Sequence, residues 1–529
     1  MRLEKGYVAL VLHSHLPFVR HPDINDPLEE RWLFEVMSEC YMPLLKAYEN
    51  LLNEGTNFKL TMSITPPLME MLEDEYLNER YYKHLRKLIE LTQREIVRTK
   101  NDEKMNALAY FYNERFIELL EIYNMYDRRI LNGFKRFCDS GNLEIITCSA
   151  THALLPLLEI NEETIKAQLT TGVENYYEHI GKMPNGIWLP ECAYTYKLES
   201  YLRELGIKYF ICESKGIKYG SPKPRYGTAA PVVTPNGIVA FGRDEESSHQ
   251  VWSSFTGYPG DVDYREFYRD IGFELPMDYI RPYINEGGIR IDTGIKYHRI
   301  TGKTENKDIY NREWAMNKVE SHANHFTHSK NNQIEELSKN MDVTPILTCP
   351  YDTELFGHWW FEGPEFIEKF MRKSCEEWTN YQLITPWEYI NKYPNIQYST
   401  PSPSSWGADG DYSVWLNGDN DWIYKELHQC EVAMTRLANT FDKPSDLERR
   451  ALNQAARELM LAEASDWPFI IKTNTTVQYA VNRINGHINK FSKLYDDLTK
   501  KAIEEKYLEN IESIDNIFKN VDYSLYKSK

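Results

Sequence analysis

The run YVALVL, residues 7–12, is continuously apolar and ends in the polar sequence HSH, residues 13–15. Unbroken apolarity, rather than alternation, predicts a strand buried on both faces, as in a parallel sheet. Residues two apart on a strand point to the same face, so His13 and His15 are expected to project together from its end. The run is too short for a signal-peptide core and ends in histidines, so we interpret it as the first strand rather than a leader.

The same pattern recurs along the chain, and helical patterns such as ESYLRELG, residues 199–206, lie between most of the apolar runs. This rhythm predicts an α/β fold, either a barrel or a doubly wound parallel sheet. Both folds place active sites at the C-terminal ends of their strands. The later runs, with the polar residue that follows, are KLTMSI, LEIITCS (His152), GIWLP (Glu191), KYFIC (Glu213), IVAFG (Arg243), PILTC (Asp352) and YQLIT.

Two stretches depart from this rhythm and predict further domains, as expected for 529 residues. Residues 68–137 are charged and almost free of Gly and Pro, which indicates a helical insertion. After the loop TPSPSSWGADGD, residues 400–411, the chain reads as helical, with Ser445 and Glu448 forming a capping box. The predicted division is residues 1–66 and 138–400 for the catalytic α/β domain, 67–137 for the insertion and 401–529 for a helical domain.

Composition excludes several classes of function. A net charge of -18, from 61 basic and 79 acidic residues, disfavours nucleic acid and anionic membranes as partners. No apolar stretch approaches the roughly 20 residues of a membrane span. The eight cysteines show no CxxC spacing and read as free thiols of a reducing cytoplasm. Because GxGxxG, GxxxxGK[ST], GxSxG and HExxH are all absent, nucleotide, serine-hydrolase and zincin chemistries lack their usual sequence motifs.

Two carboxylates carry the predicted chemistry. Glu191 lies in WLPECAY and Asp352 in CPYDTELFGHWWFEGPEF, each directly after a predicted strand and among aromatic residues. Two carboxylates on different strand ends are what glycosidic bond cleavage requires, one to attack or assist water and the other to protonate the leaving oxygen. By spacing alone, a surface role for Glu191 is the commoner alternative.

Other residues have the chemistry to hold sugars, each with a structural alternative. His13 and His15, with Asp352, would form a clamp for sugar hydroxyls or a metal site. Aromatic rings stack well on the flat faces of sugars, but they also pack between domains. The remaining candidates are His152 in ATHALLP, His298 in GIKYHRIT, Trp406 and Trp415 in PSSWGADGDYSVWLN, and Asp466 and Trp467 in AEASDWPF, expected at a helix C-terminus.

The motifs HSHLP, ATHALLP, WLPECAY, YDTELFGHWWFEGPEF and AEASDWPF, in this order, resemble the five signature regions of glycoside hydrolase family 57. The match runs from His13 to Phe469. Within that family the longer forms HSHLPFVRHP, YDTELFGHWWFEG and PSSWGADGDYSVWLN are most similar to the 1,4-α-glucan branching enzymes. The resemblance implies an incomplete (β/α)7 TIM-like barrel with a helical insertion and an all-helical C-terminal domain that contributes to the active-site groove.

The resemblance also implies a retaining double displacement on α-glucan, with Glu191 as nucleophile, Asp352 as general acid/base, and neither metal nor cofactor. Branching members carry a mobile loop whose tyrosine shields the site, and the counterpart here, residues 225–248, offers Tyr226. The implied substrate-binding residues are His13, His15, His152, Trp188, Arg243, His298, Trp360, Trp406, Trp415, Asp466 and Trp467.

Three alternatives remain open from the sequence. An α-amylase or a 4-α-glucanotransferase would use the same scaffold and differ in the linkage of its product. A metal-dependent polysaccharide deacetylase would bind a divalent ion through His and Asp at strand ends. A glucan-binding protein without activity would keep only the aromatic groove. The sequence does not predict an oligomeric state.

Overall fold

The computed structural model describes residues 4–253, 256–285 and 287–528, and a ring of parallel strands lies at its centre. Seven strands form the ring, in the order β1, β2, β3, β4, β5, β7 and β8, and every neighbouring pair is parallel. The strands are β1 Gly6–Ser14, β2 Leu60–Ile64, β3 Leu143–Ile146, β4 Gly186–Ile187, β5 Tyr209–Cys212, β6 Val232–Val233, β7 Val239–Gly242, β8 Ile346–Asp352, β9 Tyr381–Leu383 and β10 Gln397–Tyr398.

Two seams of the ring are weaker than the rest. A single bridge, Thr147 to Ile187, joins β3 to β4, and another, Arg243 to Thr348, joins β7 to β8. The ring is therefore closed but incompletely hydrogen-bonded. All eight apolar runs of the sequence form strands, which confirms the predicted seven-stranded barrel and adds β9, paired with the start of β1.

The first strand shows why unbroken apolar runs suit this barrel. Alternate residues of β1 point to the barrel interior, where they pack with Ile211, Phe241 and Ile346. The intervening residues pack outward against the surrounding helices. His13 continues the inward series of Tyr7, Ala9 and Val11, so its imidazole enters the barrel mouth.

Helices follow the strands and cover the barrel. Four of them, α3 to α6, lie between β2 and β3, where the sequence predicts a helical insertion. The barrel-region helices are α1 Glu30–Val36, α2 Met42–Asn53, α3 Pro66–Glu73, α4 Glu75–Arg98, α5 Glu103–Met125, α6 Ile130–Asp139, α7 Glu162–Ile180, α8 Leu198–Glu204, α9 Ser214–Lys218, α10 Glu245–Trp252, α11 Ile271–Glu274, α12 Met277–Ile280, α13 Arg312–Asn340, α14 Gly363–Ser374 and α15 Pro386–Lys392.

The C-terminal region is helical and docks on the mouth of the barrel. Ser445 caps α17 in a capping box with Glu448, as predicted. A bridge between Ala153 and Ala464 and a hydrogen bond from Ser465 N to His152 O (3.1 Å) join the region to the loop after β3. Its helices are α16 Trp422–Thr440, α17 Asp446–Ala462, α18 Asp466–Thr473, α19 Val477–Lys500 and α20 Glu505–Ile514.

None of the helices in the described ranges combines the length and the apolar character needed to cross a membrane.

Candidate active site

Glu191 lies on a tight turn directly after β4. Its backbone is left-handed, with φ +61° and ψ +22°, which is uncommon for a residue with a side chain. The carboxylate is held from two sides: Trp406 Nε1 donates to Oε2 (2.7 Å) and Ser465 Oγ donates to Oε1 (2.9 Å). Trp406 N also donates to the Glu191 carbonyl (2.9 Å). The turn, the tryptophan loop and the C-terminal helices together fix this carboxylate in one orientation.

Asp352 ends β8 at the same mouth of the barrel, in register with His13. Among the described residues its carboxylate receives no hydrogen bond. Burial raises the pKa of Asp352 well above its usual range, and the charges of Glu354 and Glu191 raise it further, while Arg243 opposes them. Burial of this kind favours the neutral, protonated form of a carboxyl group.

The two carboxyl groups therefore differ in their environments. Burial also raises the pKa of Glu191, and the hydrogen bonds from Trp406 and Ser465 limit this rise because they stabilise the charged form. Asp352 has no such donor. A pair of acids whose surroundings push their pKa values apart is the usual basis for dividing nucleophile and acid roles. The geometry favours Glu191 as the ionised partner and Asp352 as the protonated one.

Two histidines at the end of β1 face two hydroxyls at the end of β2: His13 and Ser63 lie within the strands, and His15 and Thr65 directly follow them. His13 Nδ1 contacts Ser63 Oγ (3.2 Å), and His15 Nδ1 contacts Thr65 Oγ1 (2.9 Å). His152, in the left-handed conformation at φ +57°, stacks on His15 with ring centroids 3.9 Å apart. The structure thus brings three of the four predicted histidines together.

His15 forms an ion pair with Asp466, whose carboxylate accepts from His15 Nε2 at 3.0 Å. Burial alone would lower the pKa of His15, but the carboxylates of Asp466, Glu191 and Glu354 outweigh burial and raise it. The prediction that Asp466 ends a helix is wrong. It is the first residue of α18, because α17 stops at Ala462 and Pro468 is tolerated in a first helical turn.

Trp188 and Arg243 also join the site. The Trp188 ring is buried and stacks on His13 with centroids 4.4 Å apart and an interplanar angle of 13°. Arg243 donates to Glu213 Oε2 (3.2 Å) and Ser248 Oγ (2.7 Å), and its guanidinium lies over the Trp406 ring at 5.9 Å. These contacts place a cation beside the Trp406 ring, and its charge lowers the pKa of Asp352.

Three of the predicted tryptophans are core side chains. Trp415 packs on Leu154 and Ala193 beneath the Trp406 loop, and Trp467 donates its Nε1 proton to the Leu461 carbonyl (2.9 Å). Each of the three, Trp360, Trp415 and Trp467, is 1% exposed, so none presents a face to a groove, and we correct the expectation that they do.

Trp359, the neighbour of Trp360, is the exposed member of this motif. It is 57% exposed and stacks on Phe267 with centroids 4.7 Å apart. The adjacent Tyr268 is 80% exposed, so two aromatic faces point to solvent here. The resemblance implies Trp360 as the substrate-binding residue, but Trp359 is the one that faces outward, since sequence alone does not decide which of two neighbours turns inward.

His298 and Tyr226 lie away from the carboxylates. His298 Nδ1 contacts the Lys307 carbonyl (3.2 Å), and within the described ranges no contact links it to Glu191 or Asp352. Tyr226 donates its hydroxyl to Asp342, which precedes β8 at the N-terminal end of the barrel. Tyr226 is therefore at the opposite end of the barrel from the two carboxyl groups.

Several residues of the site were missed by sequence reasoning. Ser63, in β2, and Thr65, directly after it, are two residues apart, the same spacing as His13 and His15, so this signal was available in the sequence. Glu354 accepts from His15 N (3.1 Å) and from the Tyr41 hydroxyl. Ser465, beside Asp466, gave no signal of its own.

Comparison with known proteins agrees with this geometry. A family model described as glycosyl hydrolase family 57 matches residues 9–346. The chain belongs to glycoside hydrolase family 57. A second model, described as the C-terminal domain of 1,4-α-glucan branching enzymes, matches residues 426–526. Glu191 lies within the first matched range of this family 57 protein, and Asp352 and the tryptophan loop lie between the two ranges.

Individual relatives cover nearly all of this family 57 chain. A 1,4-α-glucan branching enzyme of Thermococcus kodakarensis is 33% identical over 99% of the chain and 79% of the relative. The structure of the α-amylase AmyC of Thermotoga maritima superposes with a TM-score of 0.94, 46% identity and 100% coverage of both chains. A family 57 branching enzyme of Pyrococcus horikoshii superposes with a TM-score of 0.89 and 34% identity, covering 99% of this chain and 97% of that one.

Proposed function

We propose that this protein is a retaining 1,4-α-glucan branching enzyme. The observation that carries the proposal is the contrast between the two carboxyl groups at the barrel mouth: Glu191 receives two hydrogen bonds and Asp352 receives none among the described residues. An ionised nucleophile beside a protonated acid is the arrangement that glycosyl transfer with retention uses. The match to a branching-enzyme C-terminal domain supports transfer to a glucan acceptor.

In the first step Glu191 attacks the anomeric carbon of an α-1,4-linked glucose unit. The bond from that carbon to the glycosidic oxygen breaks, and Asp352 gives its proton to the departing oxygen. A β-glycosyl ester on Glu191 results. In the second step Asp352, now ionised, takes the proton of a glucan 6-hydroxyl. The 6-oxygen attacks the anomeric carbon, Glu191 leaves, and an α-1,6 linkage forms.

Amylose incubated with the purified protein should gain α-1,6 anomeric proton signals while few new reducing ends appear. NMR spectroscopy and a reducing-sugar assay on the same samples measure both quantities. Branching conserves the number of reducing ends because each cleaved chain is rejoined, whereas hydrolysis creates one end per cut. New reducing ends without α-1,6 signals would contradict the proposal.

Hydrolysis is the second candidate, and two observations favour it. Tyr226, the tyrosine expected to shield the site, is bound to Asp342 at the far end of the barrel. The solved structure with 46% identity is that of an α-amylase. If water reaches the glycosyl ester on Glu191 as readily as an acceptor does, the amylase activity dominates. The ratio of α-1,6 signals to reducing ends in the amylose experiment separates the two candidates.

The metal-dependent alternative rests on the histidine cluster. His15, His152 and Asp466 each offer one ligand atom, and these atoms lie within 4.8 Å of one another. The ring nitrogens, however, already have partners: His15 with Asp466, and His152 with Ser465 and His13. Because a ligand histidine needs a free lone pair, this network competes with metal binding.

Chelation should leave turnover unchanged. We expect activity on amylose after dialysis against EDTA to equal that of the untreated protein, with added Zn²⁺ or Mg²⁺ giving no increase. A loss on chelation that a divalent ion restores would instead favour the deacetylase.

The proposed enzyme has a defined substrate class, cellular location and domain division. Its substrate is an α-glucan such as amylose or glycogen, and the net charge of -18 disfavours nucleic acid. Seven buried cysteines carry free thiols, which supports a cytoplasmic location. We propose the domain division at residues 66/67, 137/138 and 400/401, with Ser465 and Asp466 brought to the active site by the C-terminal domain.

A further inference from the structure

An unbroken chain of buried hydrogen bonds ends on the Glu191 carboxylate. Ser63 Oγ contacts His13 Nδ1 (3.2 Å), and His13 Nε2 contacts His152 Nε2 (3.0 Å). His152 Nδ1 contacts Ser465 Oγ (2.8 Å), which in turn contacts Glu191 Oε1 (2.9 Å). The four residues that precede Glu191 in this chain are each at most 2% exposed, so water does not compete for these bonds. They are Ser63, His13, His152 and Ser465.

The chemistry of the five groups fixes the direction of every proton. An ionised carboxylate only accepts, so Ser465 donates its single hydroxyl proton to Glu191. The Ser465 oxygen must then accept from His152 Nδ1, which leaves Nε2 of a neutral His152 as an acceptor. His13 consequently carries its proton on Nε2, and its Nδ1 accepts from Ser63. A neutral imidazole has one donor and one acceptor nitrogen, and the chain uses both in each ring.

We propose that this one-way relay from Ser63 to Ser465 holds both histidines in single tautomers and positions the nucleophile, with Ser63 and Ser465 as positioning residues. The effect on catalysis rests on the proposed function, but the proton positions do not. Both histidines are held neutral: burial lowers the pKa of His13 and of His152, and the neighbouring His15 lowers both further.

The relay matters because the neighbouring charges have opposite effects on the pKa of Glu191. The Asp466 carboxylate raises the pKa of Glu191 and His15 lowers it. A donor aimed at Oε1 stabilises the anion, and charge-assisted hydrogen bonds of this kind are shorter and stronger than neutral ones. Other titratable groups around Glu191 are His152, Asp352, Tyr424, Cys148 and Cys192.

Removing either serine hydroxyl should move the acidic limb of the pH profile of kcat/KM. In Ser465→Ala the carboxylate loses a donor, its pKa rises, and the acidic limb moves to higher pH with a fall in kcat of about 10- to 100-fold. In Ser63→Ala the limb moves in the same direction, and kcat falls about 3- to 10-fold because only a neutral hydrogen bond is lost. KM should change little in both variants.

Two variants control for packing. Ser63→Thr keeps the hydroxyl and should restore the wild-type limb. Thr61 lies two residues earlier on the same strand, is equally buried, and its hydroxyl has no hydrogen-bond partner among the described residues. Thr61→Val removes this hydroxyl at constant shape and should leave the pH profile unchanged. An unmoved acidic limb in Ser63→Ala, or an equal shift in Thr61→Val, would overturn the role of the relay in catalysis.

Neutron diffraction of the deuterated wild-type protein tests the proton positions without reference to activity. The relay requires deuterium on Nε2 but not Nδ1 of His13, on Nδ1 but not Nε2 of His152, and on Ser465 Oγ directed at Glu191. Any other pattern in crystals grown above the acidic limb refutes the relay. If these positions are found and amylose is not turned over, the proposed function fails while the relay stands.

Discussion

Glu191→Gln is expected to abolish turnover of amylose, with kcat falling on the order of 10⁴- to 10⁶-fold, the range seen when a catalytic group of a covalent mechanism is removed. Glutamine has nearly the same shape and still accepts the hydrogen bond of Trp406, but its amide does not form an ester with the anomeric carbon. The measurement is the appearance of α-1,6 signals and of reducing ends from amylose, at protein concentrations high enough to detect residual turnover.

A matched control separates chemistry from stability. Glu204 is exposed at the end of α8, the helix that follows the same turn, so Glu204→Gln removes a carboxylate without touching the site. It should keep wild-type activity, and both variants should melt within a few degrees of the parent. Residual activity of Glu191→Gln within tenfold of wild type would exclude Glu191 as the nucleophile.

Asp352→Asn is expected to lower kcat on amylose by about 10²- to 10⁴-fold, the usual contribution of a general acid. The loss should be far smaller on an α-maltosyl fluoride, because fluoride departs without a proton. With this substrate the second step lacks its base and becomes slow, so a glycosyl ester should accumulate. Intact-protein mass spectrometry would detect the adduct, and fragmentation should locate it on Glu191.

The pH dependence of activity is an independent test of Asp352 as the general acid. Because burial raises its pKa, the wild-type enzyme should lose activity on amylose as the pH rises and this acid ionises. The alkaline limb should vanish in Asp352→Asn. Asp342, exposed before the start of the same strand, provides the control, and Asp342→Asn should keep the wild-type profile. An equal loss on amylose and on the fluoride would contradict the assignment of Asp352 as the acid.

The strands were predictable because each one is buried on both faces in a parallel barrel. Burial on both faces requires a continuous run of apolar residues, which is visible in the sequence. The places where the ring is weakly closed were not predictable. The bridge from Thr147 to Ile187 depends on how far apart two neighbouring strands lie, and no residue type specifies that distance. The capping box at Ser445 was predictable because it is local to four residues.

The positions of the two carboxylates at the barrel mouth were likewise predictable, since Asp352 ends β8 and Glu191 lies on the turn after β4. Trp359 and Trp360 were not, because identical neighbours differ only in which way the turn after β8 rotates them. Ser465 reaches Glu191 across 274 residues of sequence, so its role depends on how the C-terminal helices dock on the barrel. Sequence reasoning thus finds groups that a single strand presents and misses those that a second domain supplies.

The left-handed backbone at Glu191, Cys192 and His152 has an evolutionary consequence. Such a conformation costs roughly 1–2 kcal/mol for a residue with a β-carbon and almost nothing for glycine. Selection for stability alone would favour glycine or asparagine at these positions. That a glutamate and a histidine occupy two of them indicates that the residue types were selected for their side-chain chemistry at a cost in folding stability.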